Sequence, residues 1–300
     1  EEGIRSLDVV TLNTNKSEFT TSLISDVVKK WSENFDNQRG GMNRAPKFMM
    51  PNNVHFLLRQ AYQNNDTVLQ GYVNLTLTKI AYGGVNDQIG GGFARYSVDT
   101  KWHVPHFEKM LYDNGQLVSL YSDAYLVTKN ELYKEVVYET LSFIERELTD
   151  TNGTFYSSLD ADSNTEEGEL EEGAFYVWTI NELKELLNDD YTLFSDYYNV
   201  NNYGFWEHNN YVLIRTISDE DFIVKHNIDK ETFSNKKHEW KSILLSEREK
   251  RDRPGLDDKV LTSWNALMLK GYVDAYRVFQ DKKFLDIAVK NAEFILAKQL

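Results

Sequence analysis

Between Gly90 and Leu117 the chain reads GGGFARYSVDTKWHVPHFEKMLYDNGQL. A run of glycines, two histidines, a proline and several charges share this short segment with aromatic rings. Sequence that only fills a core is more uniform, so the stretch reads as an active-site loop feeding a helix or as a well-anchored structural turn. Pro105 suits a helix start, where its missing N–H costs nothing. A helix running from His106 places Phe107, Met110, Leu111, Asn114, Leu117, Val118 and Tyr121 on one arc. Lys109, Asp113 and Gln116 then line its edge, with His106 near the seam and Glu108 and Tyr112 as an i,i+4 pair. A polar stripe beside an apolar face is how a helix supplies a pocket floor, and a capped helix with solvated charges gives the same pattern.

Working outward, apolar residues recur at helical spacing on both sides. Leu23, Ile24, Val27, Val28 and Trp31 mark one helix, and Val54, Leu57, Leu58 and Ala61 another. Further helices follow at Leu69–Ala81, Leu132–Ile144, Trp264–Tyr276 and Ile287–Ile295. Several are apolar on more than one side, as expected where other helices cover them. GTFYSSLDADS (Gly153–Ser163) and GAFYVWT (Gly173–Thr179) alternate instead, and predict a β-hairpin with a long acidic loop. A weak repeat joins the ends of two predicted helices: Asp36 is followed by Gly40, Gly41 and Met42, and Asp87 by Gly91, Gly92 and Phe93. Equal turns at two helix exits suggest repeated helical hairpins, the unit of an (α/α) toroid. The expected fold class is all-α, with one helical body over residues 17–300 after a linker or residual segment at 1–16.

Composition narrows the function. Among 300 residues the net charge is −14 and cysteine is absent. Nucleic acid is excluded because phosphate binding needs a basic footprint. Disulfides and thiolate chemistry are excluded as well, which fits a reducing, cytoplasmic setting. No eighteen-residue apolar run is present, so no helical membrane span is expected. The chain opens without a start methionine or signal-peptide core and closes inside a helical pattern, and so reads as a piece of a longer protein.

His103 and His106 flank Pro105 as H-x-x-H. Metal ligation, general acid–base work and structural hydrogen bonding all stay open for them. In DADSNTEEGELE (Asp160–Glu171), Asp160, Asp162, Asn164, Glu166 and Glu171 match calcium-loop positions. Thr165 stands where the turn wants glycine, and the flanks read as strands, so an EF-hand is not expected. Asp257 and Asp258 are expected at a helix start, where carboxylates cap free N–H groups. Across a cleft, paired carboxylates would also suit glycosidic bond cleavage. Arg44 and Lys47 sit in a Gly/Pro-rich loop that grips a ligand or packs. No cofactor or metal is implied.

GGMNRAPKF, DQIGGGFARYSVDTKWHVPHFEKMLYDNGQL, DADS with EEGAFYVWT, and DDKVLTSWNALML occur in that order. Together they closely resemble the bacterial YyaL proteins and their animal relatives, the spermatogenesis-associated thioredoxin-like proteins. The resemblance runs from about Phe35 to the end. It implies a helical toroid similar to six-hairpin glycosidases and N-acylglucosamine 2-epimerase, here incomplete and without the family's thioredoxin-like domain. An incomplete ring implies uncovered apolar faces and self-association. It further implies a carbohydrate-type pocket where the glycine-rich loops gather. The expected catalytic residues are His103, His106, Asp160 and Asp257. The expected substrate contacts are Lys47, Arg95, Tyr96, Trp102, Lys109, Tyr112, Asp113, Asp162 and Lys259. The reaction is then an epimerase, isomerase or glycosidase type, and the alternative is a non-catalytic scaffold or binding module partnered with the thioredoxin-like domain.

Overall fold

A computed structural model of the chain describes residues 20–165 and 167–299. The segment expected as a linker, 1–16, lies outside the described residues. The chain divides into two units, Glu1–Phe35 and Asp36–Leu300. In the first, helix α1 (Thr21–Ser32) opens on Thr20, whose hydroxyl accepts a hydrogen bond from the Leu23 N–H.

In the second unit three helical hairpins carry the fold. They are α2 (Pro51–Asn64) with α3 (Thr67–Tyr82), α4 (Leu111–Thr128) with α5 (Glu131–Glu147), and α10 (Thr262–Phe279) with α11 (Lys282–Lys298). Each closes through the same two-residue link. A left-handed residue ends the first helix (Asn65, Lys129, Gln280), and an Asp or Asn side chain then caps the next (Asp66, Asn130, Asp281). Links this short force antiparallel neighbours. Helices α4 and α10 lie side by side, and glycine makes that possible: a Cβ on Gly115 would stand 2.9 Å from the Met268 Cα. The architecture is all-α, of the (α/α) toroid kind, as the repeat suggests.

Between the hairpins, α6 (Ile180–Leu187), α7 (Tyr191–Tyr197), α8 (Asp219–His226) and α9 (Lys230–Arg248) gather around an aromatic core that includes Trp178, Phe194, Tyr197, Phe222, Phe233 and Trp240. Among the described residues no helix is long and apolar enough to cross a membrane.

Helix α4 begins at Leu111, not at His106. Pro105–His106 (β3) pairs with Tyr96–Ser97 (β2), which pairs with Lys47–Phe48 (β1). Lys109–Met110 (β4) pairs with Ser158–Leu159 (β5), which pairs with Leu256–Asp257 (β10). These ladders claim the backbone groups that a helix from His106 would need, so non-local pairing overrides the local 3.6-residue period. Asp257 and Asp258 likewise precede α10, which starts at Thr262. The two segments expected to form the hairpin do not pair with each other: Asp162–Asn164 (β6) pairs instead with Leu170–Glu172 (β7), within the acidic segment, while Trp178–Thr179 (β8) pairs with Asn210–Tyr211 (β9).

The repeated turn has one geometry at both places. In each copy the aspartate N–H donates to the carbonyl of the second glycine, and its carbonyl accepts from the N–H of the first. Each carboxylate takes two further backbone N–H donors and a buried lysine, Lys47 on Asp36 and Lys109 on Asp87, both at 2.8 Å.

Candidate functional site

Asp87 opens the glycine-rich turn, and Gly91 and Gly92 follow with φ of +74° and +78°, a region costly for L side chains. The turn delivers Phe93, whose N–H and carbonyl are both bonded by the Asn114 amide of α4, at 2.8 and 3.1 Å. Beyond it, β2 and β3 run antiparallel ahead of α4. Successive side chains of an extended segment point to opposite sides. Phe107 is therefore buried, stacked 5.7 Å from the Tyr176 ring, while His106 and Glu108 fall on the other side.

His106 Nδ1 lies 2.7 Å from Glu172 Oε1, and its Nε2 lies 3.9 Å from Glu108 Oε2. The imidazole stacks on Tyr96 with centroids 5.0 Å apart. Arg95 donates to Glu108 at 3.3 Å, and its guanidinium also interacts with the Tyr112 hydroxyl. Tyr112, in the first turn of α4, meets Trp264 of α10 edge-on at 4.8 Å. Beside it stands Asp113, whose Oδ2 is buried and accepts no hydrogen bond among the described residues. Burial pushes the Asp113 carboxyl up to about 7; Arg95 pulls it down and Glu108 raises it further. A carboxyl that titrates near neutrality can donate or accept a proton under ordinary conditions. His106 gains a fixed ring orientation from its carboxylate partner.

No family model matches the chain. An uncharacterised protein of Caenorhabditis elegans is 35% identical over 94% of this chain and 41% of its own length. Human spermatogenesis-associated protein 20 is 34% identical over 88% of this chain and 36% of its own. The chain is homologous to spermatogenesis-associated protein 20. It spans about two fifths of the length of these relatives. Among solved structures, an α-1,6-mannanase of Salegentibacter aligns over 92% of this chain and 52% of its own, with a TM-score of 0.49 at 13% identity. A cellobiose 2-epimerase of Bacillus thermoamylovorans covers 93% and 88% with a TM-score of 0.40, also at 13% identity.

Within this homologue of spermatogenesis-associated protein 20, Arg95, Tyr96, His106, Tyr112 and Asp113 come together. Asp162 stands opposite Glu172 in the β6–β7 ladder, so the two share a face. The other residues expected at the site have different neighbours. Lys109 is buried between Asp87 (2.8 Å) and the Gly91 carbonyl (2.9 Å), over the rings of Phe143 and Tyr176; burial pulls its ammonium down to about 8. Lys47 is buried on Asp36 and the Thr100 carbonyl. Trp102 is fully buried and donates to the Arg39 carbonyl at 2.9 Å. His103 packs against Gly84, and burial lowers its imidazole pKa. Asp160 accepts from the Ala161 N–H, and Lys259 reaches both oxygens of Asp257, at 2.8 and 2.7 Å. Of the calcium-loop positions, Glu166 lies outside the described residues. Among the described residues, no three carboxylate or imidazole groups are placed to hold a metal ion.

Glu108, Glu172 and Trp264 join the cluster without having been expected there. Alternation about Phe107 carries a signal for Glu108. Glu172 has no local signal, because its approach to His106 depends on the register of β6 and β7.

Proposed function

We propose that the cluster at the start of α4 is an acid–base site for a carbohydrate. The observation that carries this reading is the buried Asp113 carboxyl, with an oxygen left unpartnered beside Arg95 and Glu108. Protonated near neutral pH, Asp113 donates to a substrate oxygen. His106, oriented by Glu172, takes a proton from a carbon next to a carbonyl, and Arg95 stabilises the charge that develops on the enediolate oxygen. Return of the proton completes an isomerisation or epimerisation with no other reactant consumed. Tyr112 and Trp264 offer ring faces of the kind that sugars stack against.

The test is solvent deuterium uptake at the carbon beside the carbonyl of a panel of reducing sugars, followed by proton NMR with the full-length protein. Uptake that is lost in Asp113→Asn and in His106→Gln supports the reading. Uptake unchanged in both variants, or absent for every sugar, removes it.

A second reading has its own observation. Lys47, Trp102 and Lys109, three of the most distinctive motif residues, are buried in contacts that hold turns together. On that reading the helical part is a scaffold that presents a ligand or protein to a thioredoxin-like domain of the longer protein. Deuterium uptake separates the two.

A further inference from the structure

Strands β1, β2 and β3 carry a ladder of three rings on one face. The register sets Phe48 opposite Tyr96 and Tyr96 opposite His106, and residues paired in this way share a face of the sheet. The ring centroids lie 4.8 Å apart from Phe48 to Tyr96 and 5.0 Å apart from Tyr96 to His106, with planes 35° and 21° from parallel. The reverse face is buried. Lys47, Ser97 and Pro105 lie there, and the Lys47 ammonium is anchored on Asp36 at 2.8 Å and on the Thr100 carbonyl at 3.1 Å. Successive side chains of a strand alternate in direction, so fastening Lys47 underneath fixes Phe48 on top.

Glu172 alone does not hold the plane of His106. One contact at Nδ1 leaves the imidazole free to pivot about the line to Glu172 Oε1, and that pivot swings Nε2. A ring against its face removes the freedom. Tyr96 supplies that ring, and Phe48 backs Tyr96 from the neighbouring strand. We propose that Phe48 is a positioning residue for His106: through Tyr96 it keeps the imidazole in the orientation that aims Nε2 at the substrate. The inference rests on the acid–base reading of His106, and it joins the Asp36 turn to that site through Lys47 and Phe48. Small errors in the placement of a reacting group are costly in rate, whereas substrate affinity depends little on the tilt of one ring. Phe48 is 38% exposed, so its loss leaves no sealed cavity in the core.

The test uses the full-length protein with Phe48→Leu, which keeps apolar bulk without a ring, and Phe48→Tyr, which keeps the ring. Proton–carbon NMR of histidine-labelled protein reads the imidazole, whose signals are assigned by their loss in His106→Gln. In the parent, the Tyr96 ring current should hold the carbon-bound protons of His106 upfield of those of an exposed histidine. Phe48→Leu should move them downfield and lower kcat for sugar deuterium uptake at least about threefold with KM unchanged. Its Tm should stay within about 2 °C of the parent. Phe48→Tyr should restore both the resonances and kcat. Unmoved resonances in Phe48→Leu, unchanged kcat, a large fall in Tm, or equal effects of leucine and tyrosine overturn the inference. If the parent shows no uptake with any sugar, the acid–base reading fails by itself, and the resonances still decide whether Phe48 orients His106.

Discussion

His106 and Glu172 stand 66 residues apart in sequence and meet through a 2.7 Å contact between Nδ1 and Oε1. The imidazole is 30% exposed and the carboxylate 42%. Ion pairs this open contribute roughly 0–1 kcal/mol to stability, so the contact is better understood as a way to aim the ring. Glu172→Gln should therefore leave Tm within about 2 °C of the parent. It should also slow sugar deuterium uptake at least tenfold, by freeing the orientation of His106. A large fall in Tm with uptake intact would reverse that assignment.

Asp113 makes the molecule pH-sensitive in a stated direction. Its carboxyl titrates near 7 in the folded chain and near 3.8 when exposed. The folded state thus holds its proton more tightly, and stability is lost progressively as pH climbs from about 4 to about 7 and stays lost above that. At 1.4 kcal/mol per pKa unit the upper bound is about 4 kcal/mol. Asp113→Asn cannot ionise. Urea titrations should find it more stable than the parent at pH 8 and near-equal to it at pH 4; equal stabilities at pH 8 would refute the burial argument.

How much of this could be read from the sequence depends on how far apart the deciding residues lie. The Asp36 and Asp87 turns were legible because an aspartate and two glycines within six positions close the turn by themselves. The start of α4 was not. His106–Met110 has a sound helical period, and what displaces it is pairing with Tyr96–Ser97 on one side and Ser158–Leu159 on the other. That one shift moves His106 and Glu108 from different helix faces to the same side of an extended strand. Lys47 and Lys109 were readable as special but not as buried. Their partners are the aspartates of the preceding turns, so the repeat held the answer once aspartate and lysine were read as one unit.

The glycines of the second turn are not interchangeable with others of positive φ. A Cβ on Gly91 would stand 2.4 Å from the Glu139 carbonyl oxygen, and one on Gly92 2.3 Å from the Phe143 ring. Gly168 has φ +80° but nothing within 4 Å. Alanine at Gly168 should cost about 1 kcal/mol, the backbone penalty alone. Alanine at Gly91 or Gly92 adds a clash with packed atoms and should cost about 3 kcal/mol or more. Chemical denaturation of the three variants gives the comparison, and similar losses for all three would mean that the close approach to α5 is unimportant.

The fourth residue of α4 and the fourth of α10 do the same job. Asn114 pairs with both backbone groups of Phe93, and Asn265 with both of Phe155, at 2.9 Å each. Two adjacent helices thereby anchor the turns that precede them, and Asn265 also accepts from Asn291 of α11 at 3.0 Å. Asn265 is fully buried. Leucine there is close in volume but orphans a buried N–H and a buried carbonyl, each worth about 1–3 kcal/mol. Asn265→Leu should therefore lose about 2–6 kcal/mol in urea denaturation, and Asn114→Leu a similar amount. The surface change Asn152→Ala, at an exposed residue of the same loop, should cost under about 1 kcal/mol. A loss below 1 kcal/mol in Asn265→Leu would mean that the Phe155 turn is held by something other than this amide.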